Sequence, residues 1–203
     1  MNGQISVNSD NATTVLLVGV GGQGTILAAD VLAKTAIANG LQVKLSEIHG
    51  MAQRGGSVST IVRLGTQVNS MVCDLGSADF LLSFETTEAL RNVSYLREGG
   101  ILLVNDEEIK SQPVLTGRAH MPAHARDRLL AYGAHLVPAT ELAVKAGSPK
   151  CANVVLLGAL AAGMSFPLES WEEQIRLKVP PKTIDMNITA FRSGVASVPH
   201  GKR

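Results

Sequence analysis

Gly19-Val20-Gly21-Gly22-Gln23-Gly24 sets glycines at the spacing G-x-G-x-x-G, directly after the apolar run Val15-Leu16-Leu17-Val18. Glycines so spaced permit a tight strand-to-helix turn, let a ligand approach the backbone and aim helix N–H groups at an anion. The chemistry on offer is phosphate or dinucleotide binding. Glu47 lies 23 positions past Gly24, close to the place of a ribose-binding carboxylate, about 20 residues on. The same glycines serve equally well to pack a turn, so the motif alone leaves nucleotide binding and packing open. Gln23 stands where a small residue is usual, and its amide is able to contact a ligand directly. A second candidate is Glu47-Ile48-His49-Gly50-Met51-Ala52-Gln53-Arg54-Gly55-Gly56, which has neither helical nor strand periodicity. Connections between strands usually run about 4–6 residues and need not gather Met, His, Gln and Arg among three glycines. The segment reads as a polar loop presented to a ligand or a partner beyond the end of a strand, where open α/β sheets place ligands.

Other chemistry is weaker. His120 and His124 have a zinc-compatible i, i+4 spacing, but Pro122 intervenes and no third ligand is adjacent, so no metal site is expected. Cys73 and Cys151 lack a second thiol at metal or redox spacing and are expected as buried reduced thiols. An iron–sulfur cubane normally takes four Cys, which this chain does not have. There is no G-x-S-x-G elbow, phosphate-loop lysine motif or Cys–His pair. With no self-sufficient catalytic constellation, the chain is expected to work with a partner.

The elements that must position these residues are those of an α/β chain. With 203 residues, 45% of them hydrophobic and 17% charged, there is material for one good-sized core. A net charge of +1 with no Lys or Arg block argues against nucleic acid and against a polybasic membrane surface. The longest apolar run, Val154 to Met164, spans 11 residues, against about 20 for a membrane-crossing helix. With Lys34 as the first basic residue, no targeting signal is read, and a soluble, cytoplasmic protein is expected.

Residues 1–12 read as a flexible lead-in and 13–203 as one domain. Strands are predicted at Thr14–Val20, Gln42–Ile48, Ser57–Leu64, Phe80–Phe84, Ile101–Val104 and His135–Val137. Gly65-Thr66 offers a hairpin turn, with Gln67 to Val72 returning as a strand. Helices are predicted at Thr25–Asn39, Thr87–Leu96, Ala123–Tyr132, Asn153–Met164, Leu168–Lys178 and from Thr183 to about Val195. The pattern predicts a single Rossmann-like α/β domain, a mostly parallel sheet with an inserted hairpin and a helical C-terminal tail.

Val15 to Ala36 and Glu47 to Val58 together resemble the gamma-type domain of the 2-oxoacid:ferredoxin oxidoreductases, most nearly in its indolepyruvate branch. Phe84-Glu85, Glu88-Ala89-Leu90, Gly99-Gly100, Asn105, Asn153 to Leu160 and Phe191-Arg192 fit the same pattern, which covers nearly all of the chain beyond residue 13. The resemblance implies a non-cofactor-bearing subunit of an enzyme that oxidatively decarboxylates arylpyruvates to acyl-CoA. Its partner would be a large alpha subunit holding thiamine diphosphate, Mg²⁺ and iron–sulfur clusters, and ferredoxin would accept the electrons. Gly21, Gly22, Gln23 and Gly24 match the family's glycine turn. Glu47, His49, Gly50, Met51, Gln53, Arg54, Gly55 and Gly56 match its signature loop. Both are expected to face the alpha subunit and to help enclose coenzyme A, with no catalytic residue and no metal on this chain. Two alternatives stand beside this: the equivalent subunit of a pyruvate, 2-oxoglutarate or branched-chain 2-oxoacid enzyme, and a free-standing NAD(P)-binding dehydrogenase domain.

Overall fold

A computed structural model describes residues 12–49, 56–110, 112–118 and 120–198. In chain order the elements begin with β1 (Thr13–Val20), α1 (Thr25–Ala38), β2 (Gln42–His49), β3 (Ser57–Gly65), β4 (Ala78–Ser83) and α2 (Thr86–Asn92). There follow β5 (Leu96–Asn105), α3 (Gln112–Leu115), α4 (Ala125–Ala131), β6 (His135–Val137), α5 (Ala139–Ala146), α6 (Ala152–Ala162), α7 (Leu168–Lys178) and α8 (Ile184–Ser197). The six strands form one sheet in the order β2-β3-β1-β4-β5-β6. β1, β4, β5 and β6 are parallel, while β3 is antiparallel to both β1 and β2. Five strands therefore run one way and β3 alone runs against them, which gives the expected mostly parallel sheet with an inserted hairpin.

β1 is buried along its whole length because helices cover both faces of the sheet. Val15, Leu17, Val62, Leu64, Phe80 and Leu82 pack with α1 and α5 to α8, whereas Leu16, Val18, Ile61, Leu81 and Leu102 pack with Ala89 of α2 and Leu129 of α4. Side chains alternate across a strand, so the unbroken apolar run of β1 feeds both layers. Cys73 and Cys151 are buried, unbridged thiols, and they lie in different layers.

The predicted hairpin forms between β2 and β3, not between β3 and Gln67–Val72, which make no strand. Both edges of β3 are already hydrogen-bonded, to β1 and to β2, so no free edge remains for a returning segment. The helix predicted over Thr87–Leu96 stops at Asn92, and after one 3₁₀ turn at Val93–Tyr95 Leu96 already belongs to β5. α4 starts at Ala125, after His124 takes a left-handed conformation with φ 54°. α5 was not predicted.

α6 is apolar on every side and almost entirely buried, and it crosses α8 with backbone against backbone. A Cβ at Gly158 would overlap the Phe191 carbonyl oxygen, and one at Gly194 would overlap that of Val155. α8 in turn is tied to α7, where Glu172 accepts from Arg192 Nε at 2.7 Å, Arg192 Nη2 at 3.0 Å and Arg176 Nη2 at 3.1 Å. The Arg192 guanidinium holds the Glu172 carboxyl below its ordinary range. Trp171 of α7 sits between Phe166 and Phe191, with ring centroids 6.0 and 6.3 Å away.

In an ordinary helix interior Gly→Ala stabilises by about 1 kcal/mol. At Gly194 the sign should reverse, because the added methyl has backbone in its place: Gly194→Ala is expected to destabilise by about 1–3 kcal/mol or more. Urea unfolding monitored by circular dichroism measures this, with the exposed Thr189→Ala on the same helix expected to stay within about 0.5 kcal/mol of the parent.

Candidate functional site

Because five strands share one direction, Val20, His49, Ser83, Asn105 and Val137 all end at one edge of the sheet, and β3 starts there at Ser57. The glycine turn, the Phe84–Glu88 segment, Asn105–Glu107 and the start of α5 are thereby brought together.

The turn is held from within. The Val20 N–H donates to Gln23 Oε1 at 2.7 Å, and Gln23 Nε2 donates to the Phe84 carbonyl at 3.0 Å. Gln23 thus spans from the end of β1 to the end of β4, and its amide is committed inside the protein instead of facing a ligand. Gly24 is left-handed with φ 81°, and a Cβ there would run into the Asn153 amide at the start of α6. Asn153 Nδ2 lies 3.4 Å from the Gly24 carbonyl oxygen. The close approach that a third glycine allows is here used by protein. The Gly21 N–H donates to the Gly56 carbonyl at 2.9 Å, which joins the glycine turn to the start of β3.

Glu47 and His49 are exposed on β2, the edge strand. Glu47 lies opposite Thr60, and Thr60 opposite Leu17, so β3 separates Glu47 from β1 by two strand spacings, about 10 Å. A ribose carboxylate needs its strand beside the glycine strand. That arrangement is not formed. Gly50, Met51, Gln53, Arg54 and Gly55 lie outside the described residues; Gly56, at the other end of the predicted loop, is half-buried.

Two buried carboxylates complete the edge. Glu85 caps α2 by accepting from the Thr87 N–H at 2.9 Å and from the Glu88 N–H. Burial pushes the Glu85 carboxyl up from its ordinary value, against the pull of those N–H groups. Glu88, 3% exposed, accepts from Ser57 Oγ at 2.6 Å and from Arg91 Nη1 at 2.7 Å. On the other side of the turn, Asn105 donates to the Phe84 carbonyl and to Glu107 and accepts from the Ala139 N–H.

A cleft of about 480 Å³ opens here, lined among others by Gly22, Gln23, Glu107, Thr140, Lys150 and Asn153. Its size suits a small molecule or part of a larger one. Lys150 brings a cation to it, while Glu107 is engaged by Asn105 and Thr140. Sequence reading attached no role to Lys150, Glu107 or Thr140; their only signal was position, just past the end of a strand or before a buried helix. His120 and His124 are exposed, and no group of three metal-ligating side chains occurs among the described residues.

Two outcomes follow from this geometry. Gln23→Leu leaves the Val20 N–H without its acceptor and is expected to cost about 1–3 kcal/mol, read by chemical denaturation. Calorimetric titration of the isolated chain with NADH or NADPH should give no micromolar binding, equivalent to about −8 kcal/mol; a micromolar dissociation constant lost in Glu47→Ala would restore the dehydrogenase reading.

Comparison with known proteins agrees with this architecture. The chain is 42% identical over 188 residues to indolepyruvate oxidoreductase subunit IorB of Thermococcus kodakarensis, covering 89% of this chain and 93% of that one. It is 40% identical over 193 residues to the IorB subunit of Pyrococcus horikoshii, with the same coverage of 89% and 93%. The gamma subunit of a keto/oxoacid ferredoxin oxidoreductase from Geobacter sulfurreducens superposes with a TM-score of 0.66 at 25% identity, over 91% of this chain and 97% of the other. Residues 14–197 match the family described as pyruvate ferredoxin/flavodoxin oxidoreductase. With the sheet order, the laced glycine turn and this match in agreement, the chain belongs to the pyruvate ferredoxin/flavodoxin oxidoreductase family.

Proposed function

We propose that this chain is the small subunit of a ferredoxin-dependent oxidoreductase that decarboxylates arylpyruvates of the indolepyruvate class. The observation that carries the reading is the near full-length likeness to IorB subunits. In the overall reaction the bond between the 2-oxo carbon and the carboxylate breaks, carbon dioxide leaves, the acyl group passes to the thiol of coenzyme A and two electrons go to ferredoxin. Thiamine diphosphate supplies carbanion stabilisation when bound, and we assign it with Mg²⁺ and the clusters to a large partner subunit. The donor set here supports that assignment: Cys73 and Cys151 lie in layers on opposite faces of the sheet and are unable to ligate one cluster.

The task of this chain is to complete the partner's surface. The Gly21–Gly24 turn, Gly56 and the signature residues Glu47, His49, Gly50, Met51, Gln53, Arg54 and Gly55 are proposed to face the large subunit. Coenzyme A fits the cleft in its donor chemistry, since Lys150 offers a cation for a phosphate and Gly22 offers open backbone. Among the described residues no helix is long and apolar enough to cross a membrane, and the proposed setting is the cytoplasm.

The test is reconstitution. The large subunit with this chain should reduce ferredoxin only when both indolepyruvate and coenzyme A are present, with higher kcat/KM for indolepyruvate than for pyruvate, 2-oxoglutarate or branched-chain 2-oxoacids. A preference for one of those acids moves the chain to the corresponding enzyme, and equal turnover by the large subunit alone overturns the reading. Arg54→Ala should leave the chain folded, with unchanged circular dichroism, yet lower turnover about tenfold. Arg54→Lys should recover little, because an ammonium cannot make two parallel hydrogen bonds.

A further inference from the structure

Ser57, Glu88 and Arg91 form a chain of charge-assisted hydrogen bonds at the start of β3 and α2. Ser57 is the first residue of β3 and Glu88 lies in the first turn of α2, 31 residues away in sequence. Both Glu88 carboxylate oxygens are taken, Oε2 by Ser57 and Oε1 by Arg91, in a side chain that is 3% exposed. A carboxylate this dry persists only with such partners, and Arg91 keeps part of its guanidinium in solvent, being 57% exposed.

The consequence is positional. Ser57 is joined through one peptide unit to Gly56, whose carbonyl receives the Gly21 N–H at 2.9 Å. A displacement of Ser57 therefore reaches the glycine turn directly. Gln23 fixes the turn to the end of β4 from its other side, so the turn lies between two clamps. The Gln23 clamp joins two strands that already neighbour each other. The Glu88 clamp runs from β3 to α2, which packs on the sheet face whose core layer also holds Ile61 of β3.

We propose that Glu88 is a positioning residue: through Ser57 it sets Gly56 against Gly21, and so fixes the turn that the large subunit meets, with Arg91 holding the buried carboxylate in its orientation. This rests on the partner-facing reading of the turn. The interaction is a short charge-assisted hydrogen bond, the class that is shorter and roughly twice as strong as neutral pairs, so its loss should be felt at the turn before it is felt in the core.

The experiment uses the reconstituted two-subunit enzyme. Ser57→Ala removes the hydroxyl and leaves Glu88 paired with Arg91, so the variant should fold with unchanged circular dichroism. It should weaken assembly with the large subunit about tenfold by titration, and raise KM for coenzyme A with a smaller change in kcat. Ser57→Thr keeps an O–H at the same place on a residue that suits strands and should restore assembly to within about twofold. Glu88→Gln should weaken assembly by at least as much as Ser57→Ala, and the double variant should be no worse than Glu88→Gln alone, since the two act as one unit. If Glu88→Gln fails to fold, the serine pair decides the matter by itself. Ser57→Ala that assembles and turns over like the parent, or Ser57→Thr as impaired as Ser57→Ala, overturns the proposal. Failure of the parent chain to bind the large subunit at all is a different result, and overturns the partner-facing reading together with this inference.

Discussion

β3 occupies the place beside β1 that a second parallel strand takes in a dinucleotide-binding sheet, and it runs the opposite way. From that placement the rest of the edge follows. An antiparallel strand begins where its neighbours end, so Gly56 and Ser57 arrive beside the glycine turn with a free carbonyl and a hydroxyl. The Gly21 N–H takes the first and Glu88 takes the second. The same strand pushes β2 outward to the sheet edge, which carries Glu47 away from the turn. One reversal of direction thus removes the dinucleotide geometry of a carboxylate strand beside the glycine strand and supplies the geometry for a laced turn.

The helices support this turn from behind. α6 brings Asn153 against Gly24 at its first turn, and it is held there because α8 crosses it backbone to backbone at Gly158 and Gly194. The Glu172–Arg192 ion pair then fastens α8 to α7. Position is transmitted through close-packed backbone, where there is little slack to absorb an error.

Much of this was legible in the sequence where one residue pattern had one physical solution. The run Val15-Leu16-Leu17-Val18 has no polar face and had to be a doubly covered strand, as β1 is. The alternation of Val58, Thr60, Val62 and Leu64 fixed the faces of β3, and Leu168–Lys178 was bounded by prolines and read with its observed limits. Errors came where the outcome depended on residues far away. Gln67–Val72 follows the hairpin-type turn Gly65-Thr66, but pairing at both edges of β3 leaves it nothing to bond. The hydrogen bond from Gln23 to Phe84 joins residues 61 positions apart, so no local pattern announces it. α5 escaped although Pro138 precedes it and Gly147 follows with φ 125°, two signals that bracket a short helix. The site residues from Gly50 to Gly55 lie outside the described part, so their sequence pattern alone supports them.

The crossing of α6 and α8 also bears on how the chain reaches this state. α8 follows the other described elements in the chain, and α6, apolar on every side, needs it as a cover. Until residues 184–197 leave the ribosome, the sheet can assemble but the central helix has an open apolar flank. Exposed surface of that kind is what chaperones bind and what aggregates form from. Synthesis arrested shortly before Gly194 would therefore yield a product that keeps most of the sheet's own pairing and yet lacks a closed core. In this protein the fourteen-residue helix α8 closes the core that the sheet and α6 leave open.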